Sequence, residues 1–123
     1  RNAGLTNAIA TDIGGGTRYS LVQTLAEGYK VLQLQGQRLH PYRAFHWITR
    51  GNAVALGMAD RIGTLEPGTE ADFVVLNASA TPAMAQRMHR ARELADELFT
   101  LQVMGDDRAV VQTYVAGQQH KPA

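Results

Sequence analysis

The sequence predicts an α/β chain that is mostly helical and holds too few strands to build a sheet of its own. Three observations lead there. Apolar residues at helical spacing occupy most of its length. Only three short stretches read as strands, namely the approach to Asp12, Phe73–Leu76 and Val110–Val115, and helical segments separate them. The first of these ends on a lone carboxylate followed by three glycines, and no neighbouring strand is in reach to pair its backbone groups. The missing partners read as those of a fragment.

The elements follow in order. After "ATDIGGGTRYS", Leu21, Leu25, Gly28 and Leu32 recur at spacings of four, three and four, with Val22 and Tyr29 widening the stripe. That is a helix with one buried face, with Thr17 as its N-cap and Gly36 as its end. "HPYRAFHWITRGNAVALG" is a second helical region, opened by Pro41, divided by Gly51 and closed by Gly57. "ADRIGTLEPGTEADFVVLN" turns at its glycines and at Pro67. Phe73–Leu76 is continuously apolar, as in a strand covered on both faces. Thr81 caps and Pro82 opens one long further helix, whose stripe runs through Leu94, Leu98, Leu101 and Met104 until Gly105 stops it. Val110–Val115 favours a strand and "AGQ" a turn, and "QQHKPA" reads as a flexible tail.

Composition bounds the function. The 123 residues suffice for one modest domain, and 45% apolar against 19% charged residues suits a packed core. A formal net charge of +1 gives no reason to expect nucleic acid or an acidic membrane. No run of about 18 apolar residues spans a bilayer, and the first 20 residues lack the layout of a secretory signal. The absence of cysteine excludes disulfides, thiolate metal sites and cysteine nucleophiles, and suits a cytoplasmic protein. The start "RNAGLTNAIA" has no Met and runs at once into the strand-like approach, as a piece of a longer chain or a trimmed remnant would.

Two features carry possible chemistry. Gly14, Gly15 and Gly16 could cradle an anion on backbone N–H groups. Yet "DIGGGTRYS" matches neither phosphate-loop pattern and has no following lysine, so a plain turn is the better reading. Asp12, at the C-terminal end of a strand, stands where a (β/α)₈ barrel places metal ligands and proton carriers. As a local feature alone it reads more readily as a turn or N-cap aspartate. His40, His46, His89 and His120 form no H-x-H or H-E-x-x-H pair and read as structural or surface residues. "HRARELADELF" reads as a solvated face with an Arg92–Asp96 pair. Phe45, Trp47 and Phe99 read as core.

"ATDIGGGTRYSLVQTLAEGYKVLQLQG", "RAFHWITRGNAVALGMADRIGTLEPGTEADFVVLN", "ATP" and "LQVMGDDRAVVQTYVAGQ" stand in an order that closely resembles the C-terminal part of bacterial guanine deaminases, within the amidohydrolase superfamily. The resemblance covers about residues 8 to 118. "IGTLEPGTEADFVVLN" is a superfamily-level segment, whereas "TDIGGGT" with "GDDRAVVQTYVAG" is more specific. It implies a C-terminal fragment of a (β/α)₈ barrel: residues 1–62 as its last strand and following helices, 63–118 as C-terminal strands of a small β-sandwich plus a helical insertion, and 119–123 as a tail.

By the same resemblance, the full-length family converts guanine to xanthine and ammonia in purine catabolism, using zinc-activated water. Asp12 matches the family aspartate that contacts metal and water and helps move the proton, and Gly14, Gly15 and Gly16 shape the mouth of the site. The family's other metal ligands, its glutamate and its guanine-contacting residues lie on earlier strands and are not in this chain. The resemblance therefore implies that this chain alone binds no zinc and is inactive, with guanine the substrate of the full-length enzyme. A non-catalytic alternative is a helical fragment that associates with copies of itself, possibly exchanging elements, through its unpaired strand edge.

Overall fold

The computed structural model describes residues 7–120, so the start "RNAGLT" and the end of the predicted tail, residues 121–123, lie outside the described residues. The described residues fold as five α-helices and one three-stranded antiparallel sheet. Helix α1 spans Leu21–Leu34, α2 Pro41–His46, α3 Asn52–Ala55, α4 Pro82–Met88 and α5 Leu94–Met104. Strand β1 spans Phe73–Leu76, β2 Val110–Val115 and β3 Gln118–His120, in the order β1-β2-β3. Among the described residues no helix is long and apolar enough to cross a membrane.

The core centres on α5, against which α1, α2 and α4 pack. One cluster joins buried Met84, Ala78, Leu101 and Ala109, with Leu76, Met88, Leu98 and Met104 around them. A second joins Leu25, Leu39 and Ala44, flanked by Tyr29, Leu32, Trp47 and Ile48, and Phe45 touches both. Phe99 meets the Tyr29 ring edge-on, with centroids 5.5 Å apart. Fully buried Gln102 crosses between the clusters by donating to the Leu39 carbonyl at 3.3 Å.

Several predicted boundaries hold for the predicted reasons. At the end of α1, Gly36 has φ +71°, its N–H donates to the Gln33 carbonyl, and Gln37 donates to the Leu32 carbonyl. That is a Schellman closure, and Gly57 repeats it after α3. Thr81 accepts from the Met84 N–H at 3.3 Å, and Pro82 occupies the first turn of α4.

Other expectations are corrected. The N-cap of α1 is Ser20 rather than Thr17, because the glycine turn runs into irregular backbone before the helix starts. Gly51 does not divide the second helical region. It keeps helical angles inside a π-turn, Trp47–Gly51, that joins α2 to α3. A Cβ on Gly51 would stand 3.0 Å from the His46 carbonyl oxygen, so glycine suits the widened turn. The long helix expected after Thr81 is two helices, because Glu93 adopts extended backbone. There the Asp96 carboxylate accepts from the Arg92 backbone N–H at 2.9 Å, where a side-chain pair was expected. Leu94, at the start of the expected stripe, is 56% exposed.

The strands differ too. Residues 9–12 form no strand and join no sheet among the described residues. Phe73–Leu76 does form a strand, yet Val74 and Val75 are exposed, so it is not covered on both faces within this chain. The predicted tail is corrected at 118–120, which form β3. Ala116 and Gly117, with φ +48° and +75°, make the two-residue turn that returns the chain alongside β2. The Asp72 carboxylate accepts from the Ala116 N–H at 2.7 Å and braces that turn.

Before β2, the Arg108 guanidinium donates to both oxygens of Asp106, Nε to Oδ1 at 3.0 Å and Nη2 to Oδ2 at 2.6 Å. This hydrogen bonding holds the Asp106 carboxyl below the ordinary carboxylate range. A carboxyl whose pKa is lower folded than unfolded stabilises fully above the unfolded value of about 3.9, and that contribution fades as pH falls through the folded value. Replacing Asp106 with Asn is therefore expected to flatten the loss of stability on acidification below about pH 4. Urea midpoints of both proteins across that range check it.

Candidate functional site

Asp12 lies where the segment before the glycines stops and a tight turn begins. Its φ is +52°, a left-handed conformation that Asp and Asn tolerate better than most residues. Its backbone carbonyl accepts from the Gly15 N–H at 3.0 Å and from the Gly16 N–H at 2.5 Å. The turn has almost no room for side chains. A Cβ on Gly16 would fall 1.9 Å from the Thr11 carbonyl oxygen, and one on Gly15 would fall 2.7 Å from Asp12 Oδ2. Gly14 has φ +102° and open space around it.

The Asp12 carboxylate is exposed, and among the described residues it takes no hydrogen bond or ion pair. It does not cap α1, whose N-cap is Ser20. The glycine turn likewise stands apart from the first turn of that helix, so its N–H groups do not combine with a helix N-terminus as a phosphate cradle would need.

The segment before Asp12 is tied down at Ile9. The Asn52 side chain accepts from the Ile9 N–H at 2.7 Å and donates to the Ile9 carbonyl at 2.8 Å. Asn52 opens α3, directly after the π-turn, and its own carbonyl accepts from the Leu56 N–H. On the preceding residues Arg50 donates to the carbonyls of Ala59 and Ile62, fastening the following loop to the same helical body. Sequence reading passed over Asn52. The one available signal was an Asn, a poor residue for a helix interior, set within a helical pattern.

The histidines do not converge. His40 caps α2 by accepting from the Tyr42 N–H at 3.4 Å, and His46 and His89 are exposed on or beside helices. His120 is on β3 rather than in a tail. Among the described residues no group of three or more His, Cys, Asp or Glu can hold a metal ion. A zinc centre needs three or four such ligands, and Asp12 supplies one at most.

A groove of about 900 Å³ opens between the segment before α1, the α2–α3 region and the sheet, with Tyr19, Val22, Ile48, Leu56, Phe73 and Tyr114 among its walls. It is chiefly apolar and Asp12 does not line it. The chain offers an exposed carboxylate on a close-packed turn, a segment behind it tied to Asn52, and a separate apolar groove.

Similarity to known proteins adds to this geometry. A guanine deaminase of Escherichia coli is 50% identical over 110 residues, 89% of this chain and 25% of that protein. The solved structure of E. coli guanine deaminase superposes with a TM-score of 0.92 at 47% identity, over 96% of this chain and 28% of that one. Guanine deaminase from Bradyrhizobium japonicum gives a TM-score of 0.78 at 31% identity, over 97% of this chain and 32% of that one. The chain thus spans between a quarter and a third of the length of these relatives. The sequence profile of the amidohydrolase family matches residues 1–120, and the chain accordingly belongs to that family.

Proposed function

We propose that this chain is the C-terminal portion of a guanine deaminase, which in its full-length form hydrolyses guanine to xanthine and ammonia. The observation that carries this is the 50% identity to the E. coli enzyme over 110 residues, the stretch that includes most of this chain. On this reading residues 1–62 supply the last strand and following helices of a (β/α)₈ barrel. Residues 63–118 supply strands of a small β-sandwich with α4 and α5 inserted. The absent neighbours would cover Val74 and Val75 and pair the edge of β1.

In the reaction a water oxygen bonds to the ring carbon that bears the amino group, the bond from that carbon to nitrogen breaks, and a proton passes from water to the departing nitrogen. Asp12 is assigned to moving that proton, since an unpaired carboxylate can accept and return one. Gly14, Gly15 and Gly16 let the turn close around the mouth without side chains in the way. The family is generally metal-dependent. Among the described residues no group makes a metal site by itself, so zinc, where the full-length enzyme holds it, would take its other ligands from other polypeptide.

A second reading concerns the chain by itself. Ile13, Tyr19, Leu34, Leu56 and Leu65 are each more than 60% exposed, and the groove is open. Such surface favours association of the isolated chain with copies of itself. One experiment addresses both readings. Purified full-length protein is expected to release ammonia from guanine. The 123-residue chain, by light scattering after size exclusion, is expected to run as an oligomer without that activity. A full-length protein that leaves guanine untouched overturns the first reading, and a well-behaved monomeric short chain overturns the second.

A further inference from the structure

We infer that Gln102 fixes the one placement in which α5, and α4 with it, docks on α1 and on the segment before α2. It supplies a buried, directional contact on a helix whose apolar packing leaves that placement unspecified. The inference concerns the interior of the chain and does not depend on the assignment of Asp12.

Seven of the eleven residues of α5 are apolar, and they lie around most of its circumference. A helix that is apolar on nearly all sides buries well in several rotations, so burial by itself does not select one. The observed placement leaves Leu94 56% exposed and buries two polar side chains, Thr100 at 1% and Gln102 at 0%. Thr100 is answered within the helix, its hydroxyl donating to the Asp96 carbonyl at 3.0 Å. Gln102 is answered from outside it: Nε2 donates to the carbonyl of Leu39, 63 positions away. Of the two, only the Gln102 contact ties α5 to another part of the fold.

Gln102 stands in the middle of a ridge of positions three apart. Before it, Phe99 meets the Tyr29 ring edge-on at 5.5 Å. After it, Gly105 lies so close to α1 that a Cβ there would fall 2.7 Å from Val22 Cγ1. Those two contacts are apolar, whereas an amide N–H must point at its acceptor. The contact carries a cost. Gln102 Oε1 is buried and has no partner among the described residues. An apolar side chain of the same length would avoid burying that acceptor, so burial energy gives no reason for glutamine here. Direction does, because a buried polar group can fix one placement among several of similar packing. Gln102 and Leu39, at 0% and 2% exposure, are closed off by the described residues themselves, so further polypeptide finds no access to the bond.

The test uses the full-length protein with Gln102→Met, which keeps the length of the side chain and removes the amide. It reads the melting temperature, and amide hydrogen exchange in peptides covering residues 35–46, 94–105 and 110–120. Gln102→Met is expected to speed exchange at least about fivefold in the first two peptides, with the sheet peptide within about twofold of the parent. The melting temperature should stay within about 3 °C of the parent, because the unpartnered acceptor leaves together with the bond. Parental exchange in both helical peptides overturns the inference. Equal acceleration in all three peptides, with melting lowered by more than about 8 °C, identifies an ordinary core residue and also overturns it. Gln102→Leu is read in the same way and decides the matter if Gln102→Met does not fold. Failure of both to fold marks a residue that the whole fold needs, and overturns a role confined to docking.

Discussion

Replacing Asp12 with Asn in the full-length protein is expected to lower kcat for guanine deamination about a thousandfold or more. The substitution is chosen because it isolates chemistry from structure. Asn matches Asp in size and also tolerates the left-handed backbone that Asp12 adopts at φ +52°. It cannot carry the negative charge or take a proton. The carboxylate is exposed and makes no ion pair among the described residues, so its removal breaks no contact seen here. In the 123-residue chain the same substitution should leave thermal stability within about a degree or two of its parent, since surface substitutions of this kind are close to neutral. Steady-state kinetics on the full-length protein and a melting curve of the 123-residue chain check the two halves. A variant that keeps more than about a tenth of the parental kcat would remove Asp12 from the reaction.

The second large effect is on stability. Met84→Ala is expected to destabilise the fold by about 2–5 kcal/mol, the range for emptying a buried long side chain. Met84 is fully buried at 0% exposure and lies between Ala78, Leu101 and Ala109. It therefore joins α4 to α5 and to the turn before β2, and a cavity there loosens all three. Alanine residues already occupy two of the surrounding positions, so little side chain is available to collapse into the space. The contrast is Lys30→Ala. Its exposed pair with Glu27 at 3.0 Å is worth no more than a few tenths of a kcal/mol. Denaturant midpoints of the two variants should differ accordingly.

Much of the helical frame was legible because its ends are written in residues with strong local rules. Thr81 with Pro82 opens α4, Pro41 opens α2, and Gly36 and Gly57 close their helices in left-handed conformations. These choices act within four residues, so the sequence displays them. The failures have the opposite character. The π-turn at Trp47–Gly51 depends on how one helix accommodates a close approach of its own carbonyls, which no apolar period reveals. The break at Glu93 has neither Gly nor Pro. Helix α4 ends at Met88, Glu93 is extended, and the Asp96 carboxylate accepts from the Arg92 backbone N–H across the break, a local contact that the apolar spacing does not display. β3 is Gln-Gln-His, polar and without β-propensity, and it forms because the Ala116–Gly117 turn delivers it to β2. At the site, Asp12 and its glycines stood out as a pattern. Asn52 did not, since its partner is 43 positions away and only the folded chain brings the two together.

The central claim is that these 123 residues supply one corner of a metal-dependent site and that other polypeptide supplies the remaining corners. The most direct measurement is metal content and ammonia release from guanine for the purified 123-residue chain, after exposure to zinc and removal of the loosely bound ion. The account predicts substoichiometric zinc and no ammonia above the protein-free control. One tightly held zinc per chain, with turnover of guanine, would contradict it.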